Sequence, residues 1–232
     1  MPERRFPEPA ALLLAIASFL FFGAVYAGSA YLGDALPWRY RLYFSWETQI
    51  PLIPSAAFVY MSISLMLIPL IRALPTFRQL YPVALTLAAQ QLVAALCFVL
   101  LPLQDGFPPA GEVDGLSGAA WRLAGQLALR HNYFPSLHVA LSCTAALILS
   151  RRLGRLDLFM ISWAAAIAVS TVLIHQHHLA DVAAGFVLAW ISVRLIYDRA
   201  ASPETPNSNV LRGAAASPET PNSNVLRGAA AS

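Results

Sequence analysis

An all-α bundle of membrane-spanning helices is the fold class this sequence predicts, on three observations. The 232 residues are 58% hydrophobic and only 12% charged, with a mean hydropathy of +0.59, whereas a soluble domain carries about 25% charged residues. Six long apolar runs recur along the chain, each near the roughly 20 residues that a helix needs to cross a hydrocarbon core. Arginines collect between the runs and are shared unequally between two sides.

The runs fall near 10–32, 50–71, 82–103, 134–150, 158–174 and 182–197. Arg4 and Arg5 precede the first, but it is too long for a signal-peptide core, so it is expected to be retained as a helix. The fourth and sixth are short, and both border polar motifs. One set of flanks holds Arg4, Arg5, Arg72, Arg78, Arg151, Arg152, Arg155, Arg194 and Arg199; the other holds Arg39, Arg41, Arg122 and Arg130. Cytoplasmic loops are the basic ones, so nine arginines against four predict both termini in the cytoplasm. The loops after the first, third and fifth runs then face outward.

From residue 200 the character changes. The 15-residue unit AASPETPNSNVLRGA spans 200–214, repeats over 215–229 and begins again at Ala230. A repeat so rich in Pro, Ser, Asn and Ala buries too little apolar surface to fold. The expected organisation is a membrane domain over 1–199 and a disordered tail over 200–232. Cys97 and Cys143 sit in apolar runs and read as core-filling residues, without the spacing of a zinc site or a disulfide framework. The net charge of +3 is mild; it fits basic cytoplasmic loops and excludes a strongly basic nucleic-acid-binding surface.

All five histidines, His131, His138, His175, His177 and His178, lie within residues 131–178, at the outward ends of the last three runs. Scattered core histidines would not share one side. In the stretch from Asn132 through Tyr133, Phe134, Pro135, Ser136 and Leu137 to His138, Pro135 suits the first turn of a helix. A helix starting there points free N–H groups outward, a cradle for phosphate, with Ser136 as a further donor and His138 one turn in. The bland alternative is a helix start with a buried, hydrogen-bonded histidine. In the second stretch, His177 and Asp181 are four apart, so a helix places them on one face. A carboxylate bonded to one imidazole nitrogen fixes the tautomer and makes the other a better nucleophile; the alternative is a carboxylate complementing the helix dipole.

These residues resemble the type 2 phosphatidic acid phosphatases. Residues 134–141, Phe-Pro-Ser-Leu-His-Val-Ala-Leu, look like the family's second motif, whose usual form is Pro-Ser-Gly-His; Pro-Ser-Leu-His is familiar from a branch that includes inositol phosphorylceramide synthases. Ser170, His177 and Asp181 match the spacing of the third motif, Ser-Arg-x5-His-x3-Asp. The resemblance implies His177 as a nucleophile forming phosphohistidine, Asp181 as its orienting partner and His138 as the general acid. Ser136 would hold phosphate oxygens, and no metal or other cofactor would be needed. Two departures stand out: Thr171 occupies the third-motif arginine position, and residues 101–109, with Gln104 and Pro108, lack the cations of the first motif. Arg130, His131 and Arg122 share the outward loop and are the candidate replacements, with Arg130 nearest the helix start.

The resemblance implies a lipid-phosphate phosphatase at the outer face of a bacterial cytoplasmic membrane, acting on phosphatidate or an isoprenyl phosphate or diphosphate. If an alcohol in place of water attacks the intermediate, the same chemistry makes a phosphotransferase. A membrane metalloenzyme is the first rival, yet His175, His177 and His178 cannot all face one point on a regular helix. A non-catalytic lipid-binding or transport protein is the second, although transport sites usually lie at the bilayer midplane.

Overall fold

The computed structural model describes residues 7–129, 131–153 and 157–201. Arg4, Arg5, Arg130, Arg155 and most of the expected tail (202–232) lie outside the described residues. What is described is helical, with no strand beyond an isolated bridge between Tyr40 and Leu103. The helices are α1 (Pro9–Asp34), α2 (Ala56–Met61), α3 (Ile63–Ala73), α4 (Phe77–Leu100), α5 (Gly115–Ala128), α6 (Leu137–Leu153), α7 (Asp157–Leu173) and α8 (Leu179–Ser192). A π-helical turn (Val193–Tyr197) then leads into the short α9 (Asp198–Ala201).

Among the described residues, four stretches are long and apolar enough to cross a membrane: Pro9–Asp34, Ala56–Ala73, Phe77–Leu100 and Leu179–Ala201. Asp157–Leu173 is a shorter apolar helix. The expected run at 50–71 becomes helical only at Ala56, because Pro51 and Pro54 lack the N–H a helix interior needs. The run at 134–150 starts at Leu137, which leaves Pro135 ahead of the helix and not in its first turn.

The core explains why α6 is the least lipid-like of the apolar segments. It packs against α3, α4, α7 and α8, so protein and not lipid surrounds it. Val139, Ala140, Ser142, Cys143, Thr144, Ala145, Ala146 and Leu149 are all buried, and small side chains of this kind let helix backbones approach closely. Gln90 of α4 ties the bundle across its middle: its Nε2 donates to Thr144 Oγ1 at 2.6 Å and to Ser192 Oγ at 2.5 Å. By contrast α1 presents Leu13, Phe19, Leu20 and Tyr31 outward, each more than 60% exposed. That face suits hydrocarbon.

One end of the bundle gathers the loops. The Tyr40 N–H donates to Pro102 O at 2.9 Å, Ile53 N–H to Leu173 O at 2.8 Å, and Ser136 N–H to Asp181 O at 3.0 Å. Helix α5 is held to the same end by Trp121, whose Nε1–H donates to Ile174 O at 3.0 Å. At the other end the Glu8 N–H reaches Pro75 O at 2.8 Å, and Arg151 pairs with Asp198 at 2.5 Å.

Gly185 makes the closest helix approach near the loop end. A Cβ there would lie 2.6 Å from Ser136 O and 2.9 Å from Val139 Cβ. We expect Gly185→Ala to destabilise the protein by about 1–3 kcal/mol, the usual range for overpacking, as a lowered melting midpoint in detergent. Gly23→Ala, with nothing within 4 Å of the added carbon, should leave the midpoint unchanged or raise it.

Candidate active site

The site is built where the chain reverses between α7 and α8. The last turn of α7 closes with Ile174 N–H on Ser170 O, and Thr171 O then accepts both Gln176 N–H (3.0 Å) and His177 N–H (3.1 Å). His175 takes a left-handed conformation, φ 60°, which turns the chain before His178 begins α8 as its N-cap. Asp181, in the first turn of α8, reaches back: its Oδ2 accepts the His178 N–H at 2.9 Å. The same oxygen lies 3.5 Å from His177 Nδ1, a contact longer than an ordinary hydrogen bond. His177 precedes the helix, so a capping turn and not a shared helical face brings it to Asp181. Both side chains are buried, and neither His177 Nδ1 nor Asp181 Oδ1 has a hydrogen-bond partner among the described residues.

The start of α6 meets this turn directly. The Ser136 N–H bond to Asp181 O joins the two motifs through their backbones. Ser136 Oγ accepts the Val139 N–H at 3.4 Å, an N-cap relationship that leaves the hydroxyl proton to donate elsewhere. His138, the second residue of α6, stacks on Tyr60 of α2, with ring centroids 3.8 Å apart and planes at 19°. Tyr133 meets the His177 ring edge-on, with centroids 6.4 Å apart.

Ser136, His138, His177 and Asp181 therefore come together, while Arg130 lies outside the described residues. The other expected cations have separate engagements. His131 contacts Asp34 Oδ1 at 3.2 Å and Leu103 O at 3.1 Å, and Arg122 donates to Val113 O at 2.7 Å. Thr171 is buried and its hydroxyl donates to Ala168 O in its own helix at 2.7 Å, so that position supplies no charge. The three clustered histidines also part company: His175 Nε2 approaches Ile50 O at 2.9 Å, and His178 Nδ1 approaches Glu47 Oε2 at 3.2 Å. Among the described residues no three His, Cys, Asp or Glu side chains are grouped to hold a metal ion.

Sequence reasoning missed Glu47, Tyr43 and Phe107. Glu47 is fully buried in a 3₁₀ turn, Ser45–Gln49, and accepts the Leu179 N–H at the start of α8 at 2.8 Å. Its signal was present: it is the sole acidic residue between Asp34 and Asp105, bordering an apolar run, where ionisable groups are usually functional. The two aromatic residues enclose His178. Tyr43 stacks on one face at 4.4 Å and Phe107 on the other at 4.2 Å. Phe107 continues onto His175 at 4.0 Å, and Arg41 Cζ sits 4.6 Å above Tyr43. No periodicity announces such a column, because its members come from three separate loops.

A model of the protein family described as the PAP2 superfamily matches residues 8–201, which includes every described site residue. The chain belongs to the PAP2 superfamily. No curated protein and no solved structure matches it. PAP2 members are generally phosphatases or related phosphotransferases, which places this chain in lipid-phosphate chemistry at a membrane.

Burial lowers the pKa of His178 from 6.5, and the nearby Asp181, Glu47 and Asp105 carboxylates only partly oppose it. An imidazole whose folded pKa is depressed takes up its proton more readily in the unfolded chain, so acid favours unfolding. The melting midpoint should therefore fall as pH drops below about 6.5, the unperturbed histidine value. His178→Phe, which keeps the stack, should flatten that slope; an identical pH profile for the variant would contradict the assignment.

Proposed function

We infer that this PAP2 protein is a lipid-phosphate phosphatase working through a phosphohistidine on His177 at the outer face of the membrane. The observation that carries this reading is the junction of the α6 and α8 starts. There the Ser136 N–H donates to Asp181 O, which ties the helix start that carries Ser136 and His138 to the turn that holds His177 beside Asp181.

His177 presents Nδ1 to Asp181, which leaves Nε2 as the nitrogen to attack phosphorus. Its lone pair forms the N–P bond, the P–O bond to the lipid breaks, and the departing oxygen takes its proton from His138. Water then attacks phosphorus, His138 recovers a proton from it, and the N–P bond opens to release inorganic phosphate. Asp181 stabilises the imidazolium character that His177 acquires. The Ser136 hydroxyl and the free N–H groups at the start of α6 receive phosphate oxygens. Arg130 is the cation we assign to the phosphate, since Arg122 and His131 are engaged elsewhere. An alcohol in place of water would make the enzyme a phosphotransferase; hydrolysis needs no second substrate site and is the reading adopted.

The topology adopted with it has six spans, both termini cytoplasmic and a 200–232 tail outside the catalytic domain. Helices α6 and α7, at 17 residues each, reach about 25 Å at 1.5 Å per residue. That is short of a hydrocarbon core of roughly 30 Å. Such short helices suit outward ends near the bilayer boundary, where a lipid headgroup can reach the histidines while its chains stay in the membrane. Phosphatidate or an isoprenyl phosphate fits that placement.

The test is phosphate release in detergent from a panel of lipid phosphates with EDTA present. Wild type should turn over, His177→Ala should fall to background, and His138→Ala should lose roughly 10²–10⁴-fold, the usual share of a general acid. Equal release by wild type and His177→Ala would remove His177 as nucleophile.

A further inference from the structure

The mechanism uses Asp181 and leaves a second buried carboxylate without a role. Glu47 has no accessible surface, yet it lies in the loop between α1 and α2. Its Oε1 accepts the Phe44 N–H at 2.8 Å; its Oε2 accepts the Leu179 N–H at 2.8 Å and faces His178 Nδ1 at 3.2 Å. Burying a carboxylate is unfavourable unless its oxygens are fully paired. A helix start can be capped equally well by a neutral serine or asparagine, and here Asp181 already takes the His178 N–H. Capping alone therefore does not account for a second buried charge.

What an ionised carboxylate adds is one-way hydrogen bonding: it only accepts. Facing it, His178 must carry its proton on Nδ1, which fixes the tautomer. The consequence is local order around the neighbouring residue. His177 N–H is held by Thr171 O, His178 N–H by Asp181, and Leu179 N–H by Glu47, three consecutive amides with three different anchors. The His178 ring is further fixed between Tyr43 and Phe107. His177, between the first and second anchors, has little freedom to leave Asp181.

We propose that Glu47 is a positioning residue for the reaction: it locks His178 and Leu179 and so holds the His177 imidazole in attacking geometry beside Asp181. This rests on the phosphohistidine reading above. Small misplacements far from the reacting atoms can cost about 10²-fold in rate. Glu47→Gln, which puts an amide donor against groups that are themselves donors, should therefore lower kcat by about 10–100-fold while KM stays within about twofold. Glu47→Asp, which restores the charge, should recover part of kcat.

The experiment pairs those kinetics, on dioctanoyl phosphatidate in detergent, with nitrogen NMR of protein labelled at histidine. His178 is assigned by difference from His178→Phe. A neutral His178 protonated on Nδ1 in wild type, shifted in Glu47→Gln, is the expected result. A folded Glu47→Gln enzyme with wild-type kcat overturns the proposal. So does a wild-type His178 protonated on Nε2, which decides the matter even where the Gln variant fails to fold. A wild type that releases no phosphate sinks the hydrolase reading on which the kinetic arm rests, and a His178 protonated on Nε2 overturns the proposal in either case.

Discussion

Two buried carboxylates at one helix start are the constraint on which the rest of this structure depends. Asp181 and Glu47 are both without accessible surface, and a carboxylate removed from water is tolerated only when donors replace its hydration. Glu47 has the amides of Phe44 and Leu179 and the His178 ring, while Asp181 has the His178 amide on one oxygen and leaves the other without a hydrogen-bond partner among the described residues. Those groups belong to two loops far apart in sequence, so satisfying the charges forces the loops together. The positive end of the α8 dipole favours the same arrangement.

Packing around that point follows from it. The start of α6 must approach α8 closely enough for Ser136 to bond Asp181 O, and Gly185 leaves the room. The stacked column of Arg41, Tyr43, His178, Phe107 and His175 roofs the turn with flat rings from three loops. Polar atoms are thus collected at one end of the bundle. The middle is held by small side chains on α6 and by the Gln90 bonds to Thr144 and Ser192.

Much of this was legible in the sequence, and the limits have physical causes. The helical class, four of the six apolar segments as candidate spans, and the gathering of the His177 and Asp181 stretch with the start of α6 follow from hydropathy and spacing. The exact start of α6 did not, because Pro135 reads as a first-turn proline while the helix begins at Leu137. The His177–Asp181 approach was expected from helical register but arises from a capping turn ahead of α8, which a count of four residues does not distinguish. Glu47 was overlooked because its partners are 131 and 132 residues away; only its isolation as a lone acid hinted at it. Thr171 stands at the arginine position of the family's third motif, and its hydroxyl turns back into α7.

The central claim is that the α6–α8 junction makes His177 a nucleophile. Its most direct test is to quench the enzyme within its first turnovers on dioctanoyl phosphatidate, under alkaline conditions that preserve phosphohistidine, and to map the phosphate by mass spectrometry. The account predicts a single phosphorylated site, His177, reduced in Asp181→Asn and absent in His177→Ala. Phosphate on His138 or His178, or turnover by a wild type that never becomes phosphorylated, would contradict it.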